Sequence, residues 1–443
     1  MPASFSHPLP NPIFDEPVFQ EGHVLPDPNG FHIAHPSDSA TYKQLGDLLV
    51  KQTTGIPGSR IAPHEVYGLD QAFGAKGPDV VKAIHAAGKI VFHAVGDTGS
   101  ANAAHYGDEI KVADRMVSDF ALSSPALRPS FFYHLGDLVY NFGEGKFYYD
   151  EFYDPYRNYP RPIIAIPGNH DSFVLPGTTS GQTPLDVFQR NFCAAHPIVS
   201  PEAYSLHRTA GTQPGIYFTL DAPFVRIIGL FSNALEDPGV ISTEKGQWAN
   251  VTNVQLDFLR AQMTRIRDES YAGAVLLALH HPPFSYVAPG DVARSANHGG
   301  SPNMLREIDS ICAEVGVYPH AVLSGHAHNY QRYTRKIDMG GKQVEVPFIV
   351  CGSGGHHINA LVNTQHSRPS FGADVSYMEK NPAVTSHGLV LEKYDDQNFG
   401  YLLLTVDAST LRIAFNNTAG TKPQQARFDL VTLDLAKRIR VSN

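Results

Sequence analysis

From residue 89 onward the chain repeats one pattern. A short apolar run, rich in β-branched and aromatic residues, closes at once on a polar turn containing glycine. The runs are KIVFHAVGD, SFFYHLGD, RPIIAIPGNHD, FVRIIGLFSN, AGAVLLALHHP, HAVLSGHAH and VPFIVCGSGGH. Unbroken apolar runs of this kind predict strands buried on both faces, in sheets covered by helices. Two helices are predicted between them. In DEIKVADRMVSDFAL, Ala113, Met116, Val117, Phe120 and Ala121 share one face; in VQLDFLRAQMTRI, Leu256, Leu259 and Met263 form a stripe. Toward the C-terminus, FGYLLLTVDASTLRIAFNN predicts a hairpin and FDLVTLDL one more strand. Residues 1–88 are rich in Pro, Gly and His, with short helices expected around TYKQLGDLLVKQ and DVVKAIHAAG. They read as an extension wrapped on a main domain of residues 89–443.

Composition narrows the class. The 443 residues are 42% hydrophobic and 17% charged, enough to bury a sizeable core. The net charge of -9 argues against a broad basic surface, so neither nucleic acid nor a membrane is expected as a partner. Three widely spaced cysteines, Cys193, Cys312 and Cys351, suggest no disulfide framework. The opening MPASFSHPLPNPIFDEPVF has no basic segment followed by an apolar one, and no run is long and apolar enough to span a bilayer. The expected compartment is therefore the cytoplasm, or outside it if a leader was removed before this numbering.

Candidate chemistry sits where the runs end. Asp97 closes the first in GDTG, and Asp137 the second in GDLVY, with Tyr140 three residues on. Asn169 and His170 follow in GNHD, His280 and His281 in LHHPP, and His326 and His328 in GHAH. In α/β sheets ligands bind outside the carboxyl ends of strands, so these distant side chains can converge on one crevice. Two carboxylates, a phenol, an amide oxygen and at least three imidazoles make an oxygen and nitrogen set suited to iron, manganese or zinc. That is too many ligands for one tetrahedral ion, and two ions sharing a bridging carboxylate account for it better. The glycine before each ligand is expected to let the backbone turn sharply. Each motif alone has a plainer explanation as a turn or helix cap. His93 and His134, inside their strands, read as core residues, and the pairs His196/His207 and His356/His357 read as structural. The joint pattern of five strand-end motifs in order carries the functional reading.

GDTG, GDLVY, GNHD, the LHH stretch and GHAHNYQRY resemble, in order, the five motifs of the calcineurin-like metallophosphoesterases, in the version found in purple acid phosphatases. The resemblance spans about residues 89 to 360. It implies a four-layer α/β sandwich of two mixed β-sheets flanked by helices. It also implies two metal ions: Asp97, Tyr140 and His328 on the first, Asn169, His280 and His326 on the second, and Asp137 bridging. His280 is favoured over His281 because the family ligand is followed by one residue and then proline. His170, and His298 in HGGSP, would face the substrate phosphate, and Asp171 would either orient His170 or cap a turn. Tyr330 and Arg332 would line the pocket, or else pack and form a surface ion pair. Many members place a metal-binding histidine two residues after the first aspartate, where this chain has Gly99. Tyr140 would stand in, and a phenolate demands a strongly acidic ion, so Fe(III) with a divalent Fe, Zn or Mn is expected.

The implied activity is hydrolysis of small-molecule phosphate esters by a metal-held hydroxide, foremost as a phosphomonoesterase of the acid phosphatase type. The alternatives are a phosphodiesterase acting on nucleotides or phospholipid head groups, a dinuclear hydrolase of another ester class, and a non-catalytic metal-binding scaffold. A competent residue at every ligand position argues against the scaffold.

Overall fold

In the computed structural model the predicted strand-end turns are gathered along one side of two mixed sheets. The structure describes residues 13–20, 22–30, 53–60, 65–122, 124–140, 142–175, 181–248, 250–286, 298–362, 367–375, 388–420 and 427–441. The helix expected around TYKQLGDLLVKQ lies outside the described residues.

The nine-stranded sheet runs, in spatial order, β1 (Val66–Gly68), β5 (Phe218–Ala222), β6 (Val225–Gly229), β7 (Ala274–Ala278), β8 (Ala321–Ser324), β10 (Lys342–Cys351), β9 (Tyr330–Met339), β12 (Leu389–Asp395) and β11 (Ala373–Asp374). The seven-stranded sheet runs β16 (Ile439–Val441), β15 (Arg427–Asp434), β14 (Thr410–Asn417), β13 (Gly400–Asp407), β2 (Lys89–Val95), β3 (Phe132–His134) and β4 (Ile163–Ala165). Within these, β6, β7, β8 and β10 are mutually parallel, and so are β2, β3 and β4. All seven of the strands predicted from apolar runs belong to these two parallel blocks. Their carboxyl ends therefore open on the same side of each block, which is what lets their turns meet. One apolar cluster joins both sheets; Phe92, Tyr133 and Ile164 belong to it from one side, Ile227, Leu276 and Leu323 from the other. Every residue of β3, β4, β7 and β8 is buried, as unbroken apolar runs require.

Helices flank the sheets. Around them, α1 (Gly77–Ala87), α2 (Ala103–Ser118), α3 (Asp186–Phe192), α4 (Val254–Asp268) and α5 (Pro302–Val315) follow in chain order. Asn102 caps α2, its side chain accepting from the amides of Ala104 and His105; of the predicted face Ala113 and Met116 are buried, Val117 is half-buried, and Phe120 and Ala121 fall beyond the helix, Ala121 exposed. In α4, Leu259 and Met263 are buried with Phe258 and Ile266, while Leu256 is only half-buried: the stripe is centred one position away from the predicted one. The C-terminal hairpin is β13 and β14, and FDLVTLDL falls in β15. Ahead of residue 89, β1 pairs in parallel with β5 and α1 leads into β2. No helix among the described residues is long and apolar enough to cross a membrane.

Candidate metal centre

The ligand-bearing loops leave the strands at once, and their backbones are bent to do so. Asp97, Asp137, His298 and His326 all sit in the left-handed region, with φ of 59°, 56°, 41° and 67°. Each such residue costs about 1–2 kcal/mol, so the surrounding packing must hold them there. The glycines before the ligands serve two different ends. Gly136 turns with φ 97°, as expected for a sharp bend. Gly168 has no such φ; instead a Cβ there would lie 2.0 Å from Oδ1 of Asp137, so it is close approach that excludes a side chain.

The donor atoms fall into two groups. In the first, the Tyr140 hydroxyl is 3.0 Å from Oδ1 of Asp97 and 3.2 Å from Nε2 of His328, and that nitrogen is 3.4 Å from Asp97 Oδ1. In the second, Oδ1 of Asn169 is 3.0 Å from Nε2 of His280 and 3.1 Å from Nδ1 of His326. Asp137 stands between them: its Oδ2 is 3.2 Å from His280 Nε2, and its carboxylate also acts on the Tyr140 hydroxyl. Neighbouring ligands about 2.0–2.2 Å from one ion lie ~3 Å apart when they meet at right angles, which is the spacing found in both groups. Asp137 Oδ2 and His326 Nε2 are buried without a hydrogen-bond partner. The residues therefore fit two cations.

Electrostatics agree. Burial pushes the Asp97 carboxyl up to about 7 and Asp137 adds to that, although His280 opposes it. Burial also acts against charge on Asp137, but His280 and His170 win and hold its carboxyl well below the usual range. His280 is desolvated too, yet the Asp137 and Asp97 carboxylates raise it to about 9. Tyr140 is held well above an ordinary phenol by burial and then by the same two carboxylates. A positive ion beside that cluster would counter the burial of the phenol and of Asp97, keep Asp137 ionised, and take the place of the proton on His280 Nε2. His326 and His328 are kept neutral by burial and by their histidine neighbours, the form in which imidazole binds metal.

His280 and His281 part company. Leu135 O takes Nδ1 of His280 at 2.9 Å, which leaves Nε2 to face Asp137 and Asn169. Both nitrogens of His281 are engaged elsewhere, Nδ1 by the Ser232 hydroxyl at 2.8 Å and Nε2 by Leu235 O at 2.7 Å. His170 and His298 stand at the edge of the cluster. The His170 ring lies 4.5 Å from the Tyr140 ring, and the His298 ring 4.1 Å from that of His326. Burial works against a charged His298, but Asp237 and then Glu236 raise its pKa. Asp171 does not address His170 through its carboxylate. Its oxygens accept from the amides of Asp137 (2.8 Å), Gly168 (2.8 Å) and Leu138 (3.0 Å), stitching two ligand loops together.

Tyr330 and Arg332 are not brought to the cluster. Both turn to Asp429 on β15: the Tyr330 hydroxyl donates to it at 2.8 Å, and Arg332 makes a two-pronged pair at 2.6 and 3.0 Å. Tyr330 also stacks on Phe415 at 4.0 Å. This corrects the expectation that they line a pocket, and the ion pair is buried between the sheets rather than at the surface. His93 and His134 are core residues as expected; His134 bonds Thr98 and the Gly136 amide.

Four residues of the site were not expected there: Glu236 and Asp237 were not singled out, and His356 and His357 were read as structural. Asp237 and Glu236 follow β6, facing His298 at 3.8 and 3.9 Å. His356 and His357 follow β10 and pack on Tyr140 and His328. Both pairs lie a few residues past the ends of predicted apolar runs, a position that marks them only loosely.

Residues 90–330, more than half of the chain, match the sequence profile described as calcineurin-like phosphoesterase. Two solved structures are similar in shape. GAP50, the anchor in the inner membrane complex of Plasmodium, is 10% identical with a TM-score of 0.47, over 79% of this chain and 91% of that one. PhoD is 14% identical with a TM-score of 0.45, over 80% of this chain and 72% of that one. Curated proteins include no match.

Proposed function

Because the chain belongs to the calcineurin-like phosphoesterase family, we propose that its centre holds two metal ions and hydrolyses phosphate esters, with monoesters of the acid phosphatase type as the favoured substrates. The observation that carries this is the division of the donor atoms into two groups about 3 Å in spacing with Asp137 between them. Asp97, Tyr140 and His328 would hold the first ion and Asn169, His280 and His326 the second. Tyr140 makes Fe(III) the favoured occupant of the first site, with divalent Fe, Zn or Mn in the second, because only a strongly acidic ion keeps a buried phenol deprotonated. When bound, such a pair supplies activation of water and neutralisation of charge on the phosphoryl group.

The chain's own residues do the rest. His280 is fixed by Leu135 O, so its Nε2 cannot swing away from the centre. The Asn169 amide nitrogen reaches Glu236 at 3.5 Å, which turns its oxygen inward. His170 would hold a phosphoryl oxygen. His298, whose hold on a proton Asp237 and Glu236 strengthen against burial, would give a proton to the leaving alkoxide. Water and ester then yield alcohol and phosphate. A panel of aryl phosphate monoesters, aryl phosphate diesters and carboxyl esters tests this. Faster hydrolysis of monoesters is expected; preference for diesters would move the substrate class, and carboxyl-ester activity alone would refute it.

A further inference from the structure

After β10 the chain runs Gly352-Ser353-Gly354-Gly355-His356-His357 along the Tyr140 and His328 side of the centre. Its backbone is pressed onto the loop that carries Asp97 and onto α2. A Cβ at Gly354 would lie 2.4 Å from Gly96 O, and one at Gly355 2.6 Å from Cα of Glu109. The His356 amide donates to Asp97 O at 3.2 Å, and the Asn359 amide to His328 O at 2.9 Å. The two glycines thus permit an approach that sets the next two side chains against candidate metal ligands.

His356 lies flat on Tyr140, with ring centroids 3.6 Å apart and planes 7° from parallel. Its Nδ1 donates to Gly99 O at 2.9 Å. His357 meets His328: its Nε2 is 3.1 Å from Nδ1 of that ring. The other nitrogen of His328, Nε2, is the one facing Tyr140 and Asp97. A histidine that ligates through Nε2 carries its proton on Nδ1, and the acceptor of that proton fixes both tautomer and ring plane.

We propose that His357 is a positioning residue for the first metal, accepting the Nδ1–H of His328 so that Nε2 is held toward Tyr140 and Asp97, while His356 covers the Tyr140 ring. The inference rests on the two-ion reading above. A competing use exists, since His328, His356 and His357 offer nitrogens within 4.8 Å of one another, enough for an ion of their own. An ion held between His328 Nδ1 and His357 Nε2 would displace the hydrogen bond between them, so the two uses exclude each other and the metal count below separates them.

The test counts metal. Full-length wild type, His357→Ala and His357→Gln are loaded with iron and, separately, with zinc. Bound ions are then measured by elemental analysis during competition with a chelator. Wild type is expected to hold two ions. His357→Ala should hold one of them about tenfold to a hundredfold more weakly, the range typical of lost outer partners. His357→Gln, whose side-chain oxygen reaches the place of Nε2, should recover most of that affinity. The proposal is overturned if His357→Ala binds both ions as tightly as wild type, if the glutamine variant is as impaired as the alanine one, or if wild type holds a third ion that His357→Ala loses. Should His357→Ala fail to fold by circular dichroism, His357→Asn, too short to reach His328, takes its place. A wild type that retains fewer than two ions refutes the two-ion reading itself, and the inference falls with it.

Discussion

Asp171 offers a severe test of how the ligand loops are held. Its side chain is fully buried and accepts four backbone amides. Oδ2 takes those of Asp137 and Gly168, each at 2.8 Å, and Oδ1 those of Leu138 (3.0 Å) and Val139 (3.3 Å). Asp171→Asn keeps the shape but turns one oxygen into an amino group. Whichever way the amide is oriented, two of the four N–H groups lose their acceptor and face a donor. Each buried N–H left without a partner costs about 1–3 kcal/mol, so the loss for two should be ~2–6 kcal/mol. That is a large share of the roughly 5–15 kcal/mol by which domains are stable. Urea unfolding followed by circular dichroism should show a lower midpoint with a similar slope. Because Asp137 is one of the residues released, the variant should also surrender metal to a chelator faster than wild type. A midpoint corresponding to a loss below about 0.5 kcal/mol, the range of neutral surface changes, would refute the stitching role.

The other predictions are simpler. Burial alone would raise the Asp429 carboxyl, but Arg332 overcomes it and lowers the pKa, so this group contributes stability above the ordinary carboxylate range and loses it as pH falls through its folded value. Asp429→Asn should therefore cost ~3–5 kcal/mol at pH 7, with the gap to wild type closing in acid; a gap independent of pH would contradict the pairing. His280→Ala should lose one ion, whereas His281→Ala should keep both and lose only stability, since its nitrogens bond Ser232 and Leu235. Elemental analysis of the two decides it, and greater metal loss in His281→Ala reverses the assignment. His298→Ala should keep both ions but slow esters with poor leaving groups disproportionately; an equal effect on good and poor leaving groups would remove the proton-donor role.

Much of the fold was legible because burial on both faces leaves an unbroken apolar run, as in the five buried residues of β7. β9 shows the converse. YQRYTRKIDM carries Arg332 and Arg335 into the interior, where Asp429 and Asp309, from β15 and α5, neutralise them. No local pattern announces a strand whose charged residues are paired only by tertiary contacts. α5 is a different miss: Met304, Leu305, Ile308, Ile311, Cys312 and Val315 have helical spacing, Pro302 begins it and Gly316 ends it, so the signal was present. At the site, strand-end motifs located the donor atoms. They did not locate His357, since an outer partner is defined by the ring it touches, nor the fate of Tyr330 and Arg332, since the direction of alternate side chains on β9 depends on which sheet lies opposite.

On the proposed reading Asp137 serves two ions at once, and one comparison tests this. Wild type and Asp137→Asn, both confirmed as folded, are loaded with iron and zinc, their metal is counted, and their hydrolysis of an aryl phosphate monoester is measured. Wild type should hold two ions per chain and turn over the ester, while the variant should fall below two ions and lose nearly all turnover. Turnover and metal content like wild type in Asp137→Asn would contradict the two-ion centre.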